Sequence, residues 1–102
     1  MTIPVAVISE NGDIMRGTNT VELSGGSFQV TGLVNGKELT CAGSYNSWNQ
    51  SVTISMLVQC SDGRKGIVIS TREANGVDGS GRVRLNDGFE ADFVFGKAAA
   101  AF

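Results

Sequence analysis

The 102-residue chain contains no histidine, one proline and two cysteines. The missing histidine removes the commonest general base and the commonest metal ligand together. Two cysteines without histidine would need carboxylates to complete a zinc site, so no metal or cofactor is expected. No run approaches the length of a membrane-spanning helix, and the opening MTIPVAVISE lacks the basic start and cleavage site of a signal peptide. The chain enters an apolar, β-prone segment almost at once, as a domain trimmed of an export signal would. Basic charge is also short. A net charge of −2 and a pI near 4.9 leave no basic face for nucleic acid. Helical periodicity is nearly absent: only GKAAAAF at the C-terminus favours a helix, and it is too short to hold one alone.

Glycine is what the chain has in excess, fourteen of them. Between glycine-bearing turns, apolar and polar residues alternate, most clearly in SVTISMLVQC, where Val52, Ile54, Met56, Val58 and Cys60 share one face. That period of two marks half-buried strands. Asn11-Gly12, Gly25-Gly26, Asn35-Gly36, Asp62-Gly63 and Asp87-Gly88 each separate two such runs. The pattern predicts eight strands, at about 3–8, 14–23, 26–34, 37–45, 51–60, 64–71, 80–85 and 89–95. One all-β domain spans residues 1–102, with 97–102 a short tail. Its architecture is an up-and-down antiparallel meander closed as a small barrel, with a β-sandwich as the alternative.

Turn chemistry extends this to registers. A two-residue Asn35-Gly36 loop sets Val30 opposite Cys41 and Phe28 opposite Gly43. A two-residue Gly25-Gly26 loop sets Leu23 opposite Phe28 and Val21 opposite Val30. A three-residue Asn86-Asp87-Gly88 loop sets Val83 opposite Ala91 and Gly81 opposite Phe93, and brings Arg84 to Glu90 and Arg82 to Asp92 on the outer face. CSDGRKGIV and LNDGFEADFV echo each other as a reused hairpin unit. The expected core is Leu23, Phe28, Val30, Leu39, Cys41, Ile54, Met56, Val58, Val83, Leu85, Phe89, Phe93 and Phe95. Its large inward residues favour a filled interior.

Cys41 and Cys60 both point inward. A plain hairpin centred on NSWNQ sets Cys41 opposite Met56, roughly 13 Å along the strand from Cys60 at 3.4 Å per residue, too far for a simple cross-strand bond. A disulfide then requires the sulfurs to meet across the interior, or a longer loop. Two buried thiols are the other outcome. The even count and common inward face favour the disulfide. Without histidine, a catalytic thiol is not expected.

Tyr45 and Trp48 flank the longest polar turn, where aromatics would stack on a small ligand at the barrel mouth or simply close it. Asn49-Gln50-Ser51 matches a glycosylation sequon, and Asp62-Gly63-Arg64 reads as a turn with a flanking charge. The ten acidic residues are scattered, with no paired carboxylates for acid–base chemistry.

GSFQV, LTCAGSYNS, VQCSDGRKGIV and GSGRVRLNDGFEADFVFG together resemble small, uncharacterised secreted or lipid-anchored proteins of Gram-negative bacteria, over roughly residues 14 to 96. GSYNSWNQSVTI is similar, more faintly, to the avidins, although Tyr45 stands where the first family tryptophan falls and Trp48 is the only tryptophan. The resemblance implies a non-enzymatic accessory or structural domain of the periplasm or cell envelope, acting on a protein partner or by self-association. Membrane contact would come only through an upstream lipid anchor. A cytoplasmic or virion role is the alternative location, and a small-ligand barrel using Tyr45 and Trp48 is the alternative function.

Overall fold

The computed structural model describes residues 1–23, 25–45, 53–74 and 78–102. It is a closed eight-stranded barrel in which each strand pairs antiparallel with its sequence neighbour and the first pairs with the last. The strands are β1 (Thr2–Ser9), β2 (Ile14–Glu22), β3 (Gly25–Val34), β4 (Lys37–Tyr45), β5 (Thr53–Cys60), β6 (Lys65–Arg72), β7 (Gly79–Leu85) and β8 (Glu90–Phe95). Period-two alternation survives in the burial of nearly every strand, as in β5, where Ile54, Met56, Val58 and Cys60 are buried and their neighbours exposed. One helical turn, α1 (Lys97–Ala100), packs against β1 and β8 and buries Ala99.

The turns explain the sequence echo. Between β1 and β2, β5 and β6, and β7 and β8, the same three-residue loop recurs: the Gly12, Gly63 and Gly88 N–H groups bond to the carbonyls of Ser9, Cys60 and Leu85 at 2.9, 3.0 and 3.1 Å. Each of these glycines has φ near +90° (86°, 90° and 92°), a conformation that costs other residues strain. In two copies the loop aspartate accepts the backbone N–H two residues on, Arg64 to Asp62 at 3.1 Å and Phe89 to Asp87 at 3.0 Å. The β3–β4 turn uses Asn35 and Gly36, both at positive φ. These four tight turns gather at one end of the barrel.

Registers set by tight turns match expectation. Val30 faces Cys41 and Phe28 faces Gly43. Val83 faces Ala91 and Gly81 faces Phe93, while outside Arg84 meets Glu90 at 3.0 Å and Arg82 meets Asp92 at 2.7 Å. The β2–β3 register differs by four residues: Val21 lies opposite Gly26, not Val30, and Glu22 opposite Gly25. Gly25 and Gly26 belong to β3, so the connection falls earlier, and Leu23 stands at its start, 94% exposed rather than in the core. Phe89 is only partly buried. Residues missing from the expected core include Ile3, Val5 and Val7 of β1, and Met15 and Val68.

Cys41 and Cys60 are bonded, and they form the rung that a short NSWNQ hairpin denied them. The β4–β5 register lies four residues from that expectation, with Cys41 opposite Cys60 and Ser44 opposite Leu57. Ser61 N–H bonds to Thr40 C=O at 2.7 Å, one position beyond the pair. The cysteines therefore occupy a non-hydrogen-bonded site, where facing strands approach closest, with Cα atoms 4.0 Å apart.

At the tight-turn end, Arg64 reaches Asp62 at 2.7 Å and Asp87 at 3.2 Å, and its guanidinium lies 5.2 Å from the centroid of the Phe89 ring. One arginine thus ties the β5–β6 turn to the β7–β8 turn. The backbone N–H bonds from Arg64 and Phe89, helped by the guanidinium, hold Asp62 and Asp87 below the ordinary value of 3.8. A depressed carboxyl stabilises the fold above its unfolded pKa and loses that contribution as pH falls through its folded pKa. The urea midpoint of the wild type should therefore fall between pH 4 and pH 2, and that of the Asp62→Asn/Asp87→Asn variant should fall less. Parallel acid slopes in the two proteins would show that neither carboxyl is depressed.

Candidate functional site

The opposite end of the barrel is built differently. There β2, β4 and β6 end and β3, β5 and β7 begin, and their side chains leave a cavity of about 200 Å³. The paired positions place its walls. Around the barrel, one inward row runs Ile54, Ser70, Gly81, Phe93 and Val7. The next row toward the mouth includes Arg72, Gly79, Phe95 and Val5. Each row places a glycine beside an aromatic residue. Toward the tight-turn end the corresponding row is Met56, Val68, Val83 and Ala91, and the interior is closed by packed aliphatic side chains. The expectation of a filled interior holds at that end only.

Ring placement repeats one device. Cross-strand partners pair Phe28 with Gly43, Tyr45 with Gly26 and Phe95 with Gly79. In each case the ring covers the glycine closely enough that a Cβ there would collide with it. Small and large residues facing each other let a narrow barrel bend and still pack. Phe28 and Phe93 meet edge to face with ring centroids 5.2 Å apart.

Tyr45 lines the mouth, as the sequence suggested. Its hydroxyl accepts from Asn19 Nδ2 at 2.9 Å and donates to Asn19 Oδ1 at 3.1 Å, so β4 is tied to β2 across the intervening β3. The phenol is thereby oriented, leaving its ring face for contact. Trp48, the second expected contact, and the Asn49-Gln50-Ser51 sequon lie outside the described residues.

The walls that sequence reasoning missed are apolar and buried: Phe28, Ile54, Met56, Phe93 and Phe95. Two polar groups join them from one face of β6. Ser70 lies deep, 3% exposed, and Arg72 is half-buried nearer the mouth. Among the described residues, Arg72 is the only charged side chain on the cavity wall. Alternation in KGIVISTR, which points Ser70 and Arg72 inward with Val68, was the available signal. No group of metal-ligating side chains occurs among the described residues.

No protein-family model matches the chain, and no curated protein matches it by sequence. Solved structures do match in shape. A de novo designed fluorescence-activating β-barrel aligns with 92% of this chain and 88% of its own at 19% identity and a TM-score of 0.64. The redesigned barrel mFAP1, bound to DFHBI, aligns with 94% of this chain and 92% of its own at 14% identity and a TM-score of 0.69. At these identities the likeness is one of fold: like these proteins, the chain is a β-barrel.

Proposed function

We propose that this chain is a non-enzymatic module that binds a small, mainly apolar molecule in the open end of its barrel. The observation that carries the reading is the cavity of about 200 Å³, walled by Phe28, Ile54, Met56, Phe93 and Phe95. Concave, mostly apolar pockets with a few convergent polar groups are the usual form of small-molecule sites. This one is at the small end of their range: an apolar cavity of about 150 Å³ accepts benzene. Binding of a small ligand by mFAP1, a barrel of the same fold, lends the reading support of a general kind.

The disulfide points to an oxidising, non-cytoplasmic environment. The bacterial periplasm or envelope, which the sequence resemblance implies, is the setting we propose. A lipid anchor is not required by this reading.

Methyl NMR tests it directly. Toluene, titrated into the protein, should shift the Ile54 and Met56 methyl resonances saturably while leaving the outward-facing Leu33 methyls unmoved. Uniform or absent shifts would defeat the binding reading.

A further inference from the structure

Ser70 is a buried hydroxyl in an apolar wall. Its position is 3% exposed, yet among the described residues its side chain has no hydrogen-bond partner. No buried polar atom sealed from solvent lacks a partner, so the hydroxyl is not enclosed by packed atoms. It borders the cavity instead. The strand pairs place it between Ile54 and Gly81, neither of which carries a side-chain polar group. A hydroxyl that faces the cavity with no protein partner is open to a ligand atom that both donates and accepts.

Arg72 lies two residues further on, on the same inward face. Two residues of strand span about 6.6 Å. The wall therefore offers a neutral hydroxyl and, nearer the mouth, a guanidinium whose five N–H donors can serve a ligand beside the contact it already makes. The rings of Phe28, Phe93 and Phe95 line the same cavity. Since about 150 Å³ holds benzene, the cavity of about 200 Å³ has room for one ring with two small substituents.

From these positions we infer that the ligand is a small hydroxyaryl acid, its neutral oxygen on Ser70, its ring among the phenylalanines and its carboxylate toward Arg72. The inference rests on the ligand-binding reading above and deepens it. Ser70 supplies one hydrogen bond and Arg72 a charge-assisted one. The ring supplies contact area that an aliphatic chain of the same length would not stack as well against aromatic edges.

Four probes separate the contributions: toluene, phenol, benzoate and 4-hydroxybenzoate, each titrated by calorimetry and by the Ile54 and Met56 methyl shifts. 4-Hydroxybenzoate should bind tightest in the wild type. Ser70→Ala should weaken 4-hydroxybenzoate and phenol about fivefold, the size of one lost hydrogen bond, and leave toluene and benzoate unchanged. Arg72→Gln should weaken the two carboxylates about tenfold, as for a charge-assisted bond, and leave phenol and toluene unchanged. Equal binding of all four probes, or equal weakening of all four by Ser70→Ala, would overturn the inference while leaving an apolar binding barrel in place. Failure of every probe to move the Ile54 and Met56 methyls would overturn both.

Discussion

Replacing Cys41 and Cys60 together by alanine should lower the unfolding free energy by about 3 kcal/mol. The cysteines are 19 residues apart in sequence, and closing a loop of that length removes about this much from the freedom of the unfolded chain. For a domain of this size each kcal/mol is worth roughly 4–8 °C, so the melting temperature should fall by about 12–24 °C. The bond also sits where the sheet has least to spare. Among the described residues, the β4–β5 ladder has four paired positions, from Cys41–Cys60 to Ser44–Leu57, whereas β5–β6 has seven. Thermal unfolding by circular dichroism, with the reduced wild type alongside the double variant, measures the effect. Melting temperatures within a degree or two of the oxidised wild type would mean that the native ladder, not the cross-link, holds these strands.

The second large effect should come from a position with no side chain. Gly17 faces inward on β2, opposite Val30 of β3. A Cβ added there would come within 2.9 Å of the Val30 Cα and closer still to the Gln29 carbonyl. Both obstacles are backbone, and backbone in a closed ladder cannot swing aside. Gly17→Ala should therefore cost about 3 kcal/mol, the upper end of ordinary overpacking. Gly26→Ala is the contrast. There the three atoms nearest the added methyl all belong to the Tyr45 side chain, which can turn away at the loss of its bonds to Asn19. About 1 kcal/mol is expected, near the worth of a typical hydrogen bond. Urea denaturation of both variants decides the matter, and equal losses would show that the β2–β3 approach at Gly17 is less tight than it looks.

These two sites also mark where the sequence was and was not legible. Alternation located all eight strands because each buries one face only, and the Asn35-Gly36 and Asn86-Asp87-Gly88 turns located two registers because their geometry admits few alternatives. Gly25-Gly26 misled because glycine serves two purposes here. It turns the chain at Gly36 and Gly88, but at Gly26 it sits inside the sheet beneath Tyr45. The Cys41–Cys60 rung was displaced by four positions for a related reason: no turn chemistry in SYNSWNQSV fixes the length of the β4–β5 connection. The cavity could not be read by counting large inward residues. Its walls come from strands far apart in sequence, Phe28, Ile54, Ser70 and Phe93 among them, which are brought together only once the registers are known. Tyr45 was found at the mouth because it ends an alternating run, whereas Ser70 and Arg72 looked like ordinary members of a short strand.

The closed strand order has one further consequence. An open sheet carries an edge whose bare N–H and C=O groups recruit strands from other chains, by design or in aggregation. Here Val5 pairs with Phe95 and Val7 with Phe93, so β1 and β8 satisfy each other and no strand of the described residues is left at an edge. Backbone-templated joining, by strand addition or by fibril-like stacking, would require the barrel to be opened first. Any protein that holds this one from outside, a second copy included, must therefore grip side chains. Leu57 and Ile67, paired across β5 and β6 on the outer surface, are among the apolar ones that stand ready.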